Sequence, residues 1–431
     1  MTAESFEVRI EKIVSGGEGL ARHEGRVVFV PATAPGERHR VEAVRDKKDY
    51  LKARSVELLE PSPARRAPPC PYYQSCGGCA LMHLVPEAQL DAKKAILMEG
   101  LGRSLPGFAG PVRLSAAHEV GYRNRLRFHV AFSERGTIAG FRRRGSHEVV
   151  DIDHCLLGSN AMNEAWRRVR GALRSSRSMA RSLVSVELQE SSHQEGSLAA
   201  RFVVSSTDAL RRFDEGFRET LRNEVGLEGL VVSVERGGPL VRSGRPFVDH
   251  RVLDLSLRQS VGSFFQANRF LLEDLVRCVL PEGSAPAPAR ALDLYSGVGL
   301  FALPLARRGA QVLGVETETL ALADARASAE RAGLGGVRFV RGDASSYLLR
   351  AKLRPEDFVI VDPPRGGLPR PLVDALGKSP LRSLRYVSCD PPTLLRDLRI
   401  LAASGFRIDS IALVDLFPNT HHFECVSIVT R

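Results

Sequence analysis

The chain has 431 residues and no run of about 18 or more apolar ones, the length a membrane-crossing helix requires. Its opening, Met1-Thr2-Ala3-Glu4-Ser5, lacks the basic and apolar regions of a secretory leader. Cysteine is sparse: seven residues, an odd number, at spacings unlike a secreted disulfide framework. These absences point to a cytoplasmic protein with no membrane role and no obligate protein partner evident. What is present is ordinary for a soluble protein, 43% hydrophobic and 26% charged residues. The length exceeds one compact core, so two or three domains are expected.

The net charge of +11 is concentrated. Residues 61–150 hold 13 Lys and Arg against 6 Asp and Glu, while residues 1–60 balance at 11 and 11. The densest runs are Tyr122-Arg123-Asn124-Arg125-Leu126-Arg127 and Phe141-Arg142-Arg143-Arg144. Arginines beside aromatics suit phosphate pairing and base stacking, so nucleic acid is the favoured partner over a merely solvated basic face.

Pattern divides the chain into residues 1–62, 63–262 and 263–431. The first alternates in short strands (Val8–Ile13, Arg26–Val30, Arg38–Val44, Lys52–Leu59) around turns at Ser15–Gly19 and Pro35-Gly36, which fits a five-stranded OB-like β-barrel. Pro61 to Pro69 reads as a stiff linker. The central part is α+β, with a helix over Pro86–Leu101 and strands at Leu126–Phe132, Leu183–Leu188, Ala199–Val204 and Leu230–Val234. The last part begins with a helix over Asn268–Leu280 and a break at Ala285–Pro288. It then alternates helices with strands at Ala291–Leu294, Gln311–Val315, Val337–Val340, Phe358–Val361 and Leu384–Val387, and ends in an antiparallel pair, Ile408–Leu416 with Cys425–Thr430. That alternation predicts an α/β, Rossmann-like parallel sheet.

Within it, Leu292-Asp293-Leu294-Tyr295-Ser296-Gly297-Val298-Gly299 leads a strand into a glycine turn whose Gly297 permits close backbone approach to a ligand. Glu316, closing the next strand, is placed to accept hydrogen bonds from ribose hydroxyls, and Asp343, closing the third, from an adenine amino group. The third glycine of the dinucleotide fingerprint is missing, which favours S-adenosylmethionine (SAM) over a nicotinamide. Asp362, in Asp362-Pro363-Pro364-Arg365, closes the fourth strand, where open α/β sheets bind ligands. Cys389 follows a further apolar strand and is a candidate nucleophile; Glu424 arrives later as a candidate base. Cys70, Cys76 and Cys79, spaced Cys-x5-Cys-x2-Cys, with the distant Cys155, can hold an iron–sulfur cluster or a zinc ion, and spacing alone does not separate the two. Cys278 and Cys425 read as structural.

In this order the motifs resemble the RNA uracil-C5 methyltransferase family, in its ribosomal-RNA branch, nearly end to end. The resemblance implies a TRAM domain at the N-terminus, a central domain carrying a [4Fe-4S] cluster (zinc being the lesser alternative) on Cys70, Cys76, Cys79 and Cys155, and a SAM methyltransferase domain against which part of residues 90–125 packs. It implies SAM contacts at Gln266 and Tyr295 beside Glu316 and Asp362. It implies methylation of C5 of a uridine in 23S rRNA: Cys389 adds to C6 and Glu424 removes the C5 proton. The T-loop uridine of tRNA is the nearest alternative, and a non-catalytic RNA-binding assembly factor is one of another class. Asp390 stands where the family usually has Asn and is expected to raise the thiol's pKa by repulsion. His421 and His422 are read as positioning residues.

Overall fold

A computed structural model describes residues 5–133, 136–280 and 287–431; the break at Ala285–Pro288 lies partly outside them. Near the N-terminus the chain forms six strands where five are expected: Ser5–Arg9, Lys12–Ile13, Glu18–His23, Arg26–Pro31, Arg38–Asp46 and Tyr50–Glu60. They hydrogen-bond in one sheet around Val8, Ile10, Val28, Val30, Val41 and Leu51. The stretch Val8–Ile13 is not one strand. It breaks at Ile10-Glu11 because pairing changes there, from Arg38–Asp46 to Glu18–His23, with the Ile10 amide on Glu37 O and the Glu11 amide on Leu20 O. The turn between the second and third strands needs left-handed glycines, Gly16 at φ +100° and Gly17 at φ +78°.

The proline-rich segment is pinned rather than free. The Arg65 guanidinium is paired with the buried Glu37 carboxylate and donates to Ala32 O at 2.8 Å. Arg66 donates to Met82 O at 3.0 Å and to Glu119 at 2.7 Å.

The central sheet has seven strands, in spatial order Val149–Asp151, Gly136–Arg142, Arg125–Ser133, Leu183–Glu190, Leu198–Val204, Gly229–Val234 and Leu240–Gly244. Helix Asn160–Ser175, started by the Ser159 hydroxyl on the Met162 amide, lays Trp166 flat on Phe128 at 3.7 Å between ring centres.

The third sheet has eight strands. From one edge they run Val337–Arg341, Gln311–Glu316, Arg290–Leu294, Phe358–Val361, Ser383–Ser388, Glu424–Thr430, Arg407–Val414 and Val112–Ser115. The first five are parallel and the expected C-terminal pair is antiparallel. The edge strand Val112–Ser115 comes from residues 90–125 and pairs in parallel with Arg407–Val414. Helix Pro86–Ser104, in the same stretch, packs Leu97 and Leu101 into the core beneath helix Pro391–Ala403. Gly100 makes that approach possible, since a Cβ there would lie 2.5 Å from Leu395 Cδ1. The helix expected from Asn268 begins only at Leu272, because Asn268 is occupied: its amide group donates to Leu416 O at 3.1 Å and its Oδ1 accepts from the Phe270 amide at 2.9 Å.

Candidate active site

Strand order reverses between Arg290–Leu294 and Phe358–Val361, and a cavity of about 1000 Å³ opens over the C-terminal ends of these strands. The turn after Leu294 is tight enough to put the non-glycine Tyr295 at φ +65°, followed by Gly297 at +53° and Gly299 at +88°. Glu316 is fixed at the neighbouring strand end. Its Oε2 accepts from the Gly297 amide at 2.9 Å, and its Oε1 from the amides of Thr317 at 2.6 Å and Glu318 at 3.0 Å. A carboxylate so anchored presents its remaining lone pairs to the cavity without a flexible side chain to order. Gln266 is buried, its carbonyl held by Asn124 Nδ2 at 2.9 Å.

Cys389 and Glu424 meet because of β-register. Strands Ser383–Ser388 and Glu424–Thr430 are antiparallel with Ser388 opposite Cys425, so one residue further Cys389 faces Glu424. Both line the cavity. Burial, then repulsion from Glu424, pushes the Cys389 thiol up to about 11, with Arg365 pulling it down and Asp362 pushing it up. Burial also raises Glu424 well above the ordinary carboxylate range, with Asp362 adding to the rise and Arg365 opposing it. Desolvation lifts Asp362 to about 7. The expected repulsion from Asp390 is not found among the causes acting on the thiol, since that carboxylate turns away to cap helix Pro391–Ala403, accepting from the Thr393 amide at 3.0 Å.

The cavity therefore gathers Gln266, Tyr295, Gly297, Glu316, Asp362, Cys389 and Glu424. Asp343 stands beside it, within electrostatic reach of Tyr295, and one of its oxygens caps the short helix Ala344–Arg350, accepting from the Ser346 amide at 2.8 Å. Three residues matter that the sequence reading left without a role or gave another one. Arg365 is the cation facing the thiol and the base. Asp293 is wholly buried beneath the glycine turn, raised well above the carboxylate range by burial and by Asp362. Arg123, read as an RNA contact, lines both this cavity and a smaller one beside it.

A family model described as tRNA (Uracil-5-)-methyltransferase matches residues 86–431, and a TRAM-domain model matches residues 1–56. The chain belongs to the uracil-5-methyltransferase family. A 23S rRNA (uracil(1939)-C(5))-methyltransferase of Chromohalobacter salexigens is 36% identical, over 98% of this chain and 88% of that protein. An RNA methyltransferase of Aquifex aeolicus is 33% identical over 100% of this chain and 99% of that one. Among solved structures, the Pyrococcus abyssi tRNA (uracil-54, C5)-methyltransferase in complex with S-adenosyl-L-homocysteine is 28% identical, with a TM-score of 0.77 over 99% of this chain and 100% of that one.

In this uracil-5-methyltransferase the smaller cavity, about 90 Å³, is the meeting place of Cys70, Cys76, Cys79 and Cys155. Arg144 donates to Cys79 O at 2.5 Å, and the Gly77 amide donates to Arg142 O at 2.9 Å, so the Arg142–Arg144 run backs the cysteine loop. A Cβ on Gly77 would lie 3.1 Å from that carbonyl. Among the described residues no group of three or more His, Cys, Asp or Glu side chains is arranged to hold a single metal ion. No helix of the described residues is long and apolar enough to cross a membrane.

Proposed function

We propose that the protein transfers a methyl group from SAM to C5 of a uridine in 23S rRNA. The observation that carries this reading is the placing of Cys389 and Glu424 opposite one another in the same cavity as the anchored Glu316. Uracil C5 is a poor nucleophile. Cys389 adds as thiolate to C6, which turns C5 into an enolate carbon, and the sulfonium of SAM supplies the methyl group. Glu424 then takes the C5 proton, the double bond re-forms and Cys389 leaves. Arg365 favours the ionised forms of both groups. Glu316 holds the ribose of SAM, the Gly297 turn its methionine part, Gln266, Tyr295 and Asp362 line its course, and Asp343, beside Tyr295, accepts from the adenine amino group.

The preference for 23S rRNA rests on the Chromohalobacter relative, matched over nearly its whole length. A tRNA T-loop uridine is the second reading, supported by the end-to-end likeness to the Pyrococcus tRNA enzyme. Incubation with methyl-labelled SAM and separate unmodified rRNA and tRNA pools, followed by mapping of the labelled uridine, decides between them. Label in neither pool overturns both.

Four thiols around one small cavity suit a [4Fe-4S] cluster. Zinc, held tetrahedrally by the same four thiolates, is the lesser alternative. When bound, such a cluster supplies folding energy and a fixed surface. The chain's own residues do the rest: the Arg142–Arg144 run and the N-terminal sheet contact RNA phosphates. Absorbance near about 400 nm in anaerobically purified protein supports iron–sulfur; a colourless, zinc-loaded, active protein overturns it.

A further inference from the structure

Asn419 stands five residues before Glu424 and is completely buried. Its backbone is left-handed, φ +66°, a conformation asparagine tolerates better than most residues. Each of its polar atoms is bonded. Its amide donates to Gln89 Oε1 at 2.7 Å and its Nδ2 to Glu119 O at 2.8 Å. Its Oδ1 accepts from Gln89 Nε2 at 3.1 Å and from Arg66 at 3.3 Å. Its carbonyl accepts from the amides of Ala80 and Leu81, both at 2.9 Å, and these residues directly follow Cys79. One residue therefore joins the loop before Glu424 to the cysteine loop, to helix Pro86–Ser104 and to the segment at Glu119.

The rest of that loop has little slack. Tyr122 Oη donates to Pro418 O at 3.1 Å and Lys93 Nζ to Phe417 O at 3.1 Å. Thr420 Oγ1 donates to Phe417 O at 2.8 Å and accepts from the His422 amide at 3.1 Å. Glu424 itself has a buried Oε2 with no partner among the described residues. Its position is set by the backbone on either side, strand Glu424–Thr430 after it and the Asn419 loop before it. Cys389 shares that strand pairing but not the Asn419 loop, being held by strand Ser383–Ser388 and helix Pro391–Ala403.

We propose that Asn419 is a positioning residue for proton removal: it clamps the loop carrying Glu424 to the cysteine loop, so that breakdown of the Cys389–uracil adduct requires it and formation of the adduct does not. This rests on the function proposed above. In the step concerned, Glu424 takes the proton from C5, the C–H electron pair becomes the C5–C6 double bond, and the C6–S pair returns to Cys389 as thiolate.

The test compares full-length wild type with Asn419→Ala, Asn419→Gly and Gln89→Ala on transcribed 23S rRNA and methyl-labelled SAM. It reads the denaturation-resistant protein–RNA adduct and the free methylated RNA separately. Asn419→Gly keeps the left-handed backbone and loses the side-chain bonds; Gln89→Ala loosens the clamp from outside the loop. The expected result for Asn419→Ala is adduct formation within about twofold of wild type and adduct breakdown slowed by about tenfold or more, with adduct accumulating. A merely structural role lowers both rates together in proportion to folded protein, and that result, or breakdown within about twofold of wild type in folded protein, overturns the proposal. Should the alanine variant not fold, the other two are read by the same pair of rates. Wild-type protein that forms neither adduct nor labelled RNA overturns the proposed function and the inference with it.

Discussion

The carboxylate of Glu424 raises the proton affinity of the Cys389 thiol, the two residues facing each other one step beyond the paired Ser388 and Cys425. The same group that releases the product thus holds back the nucleophile until the site is charged differently. With the thiol pushed up to about 11, only about one in a thousand is ionised near pH 8. Glu424→Gln removes the negative charge and leaves the burial, so the pH midpoint for alkylation of Cys389 by iodoacetamide falls. Rates followed by mass spectrometry up to about pH 10 are expected to be several-fold faster in the variant than in wild type once the pH is high enough for Glu424 to ionise. An unchanged or higher midpoint would show that the two groups do not sense each other.

Glu316 gives a second prediction. Its carboxylate is held by the amides of Gly297, Thr317 and Glu318, so replacing it by alanine removes a ligand contact and loosens the turn together. Charge-assisted hydrogen bonds of this kind contribute about 1.5–3 kcal/mol each, and SAM affinity measured by calorimetry is expected to weaken by about 10–100-fold. Asp343→Ala removes both a helix cap and a carboxylate beside Tyr295, and is expected to lower stability and to weaken SAM affinity several-fold.

The contrast between those two carboxylates marks how far the sequence reading reaches. Both close a parallel strand, and the apolar spacing that located the strands treats them alike. What separates them is local: Glu316 has the length to turn back onto the amides of its own turn, while the shorter Asp343 caps the helix that follows it. The sheet was readable because each strand is a short apolar run between turn residues. The meeting of Cys389 with Glu424 was not, since it depends on the pairing of Ser388 with Cys425, and two apolar strands of similar length do not reveal their register. Contacts such as Asn419 with Gln89, or Arg66 with Glu119, join segments far apart in the chain and leave no periodic trace. For the same reason the proline-rich segment read as a spacer, although Arg65 is held by a glutamate in the N-terminal sheet.

Gly17 brings that N-terminal sheet against the catalytic part. A Cβ on it would lie 3.0 Å from Ala80 Cβ and 3.4 Å from His421 Cβ, whereas a Cβ on the adjacent Gly16 meets nothing within 4 Å. Both glycines have positive φ, so each substitution carries a backbone penalty of about 1–2 kcal/mol, and only Gly17 adds a collision. Gly17→Val is therefore expected to lower the melting temperature more than Gly16→Val and to reduce methylation of RNA, with the Gly16 variant keeping near-normal activity once folded. Equal effects of the two would mean that the sheet touches the catalytic loop without supporting it.

Asp293 carries the last prediction. It is wholly buried, its two oxygens lack a partner within normal hydrogen-bond geometry among the described residues, and burial with repulsion from Asp362 and Glu316 raises its pKa well above the ordinary range, opposed by the Ala302 amide. A carboxyl with a folded pKa above its unfolded value keeps its proton in the native state after the unfolded chain has released it. Stability is then unaffected below the unfolded value near about 4 and falls as pH rises, by up to about 1.4 kcal/mol per pH unit, until the folded pKa is passed. Asparagine has the same shape and cannot ionise. Asp293→Asn is thus expected to match wild type near about pH 4 and to melt progressively higher than wild type as pH rises, the gap being widest once the folded pKa of Asp293 is passed. Part of the wild-type slope will survive in the variant, because Asp362 and Glu424 are raised as well. Melting curves of both proteins without SAM decide it: a gap that stays constant with pH, or a variant less stable at pH 8 than at pH 5 by as much as wild type, would mean that Asp293 is ionised in the folded protein and held by a partner.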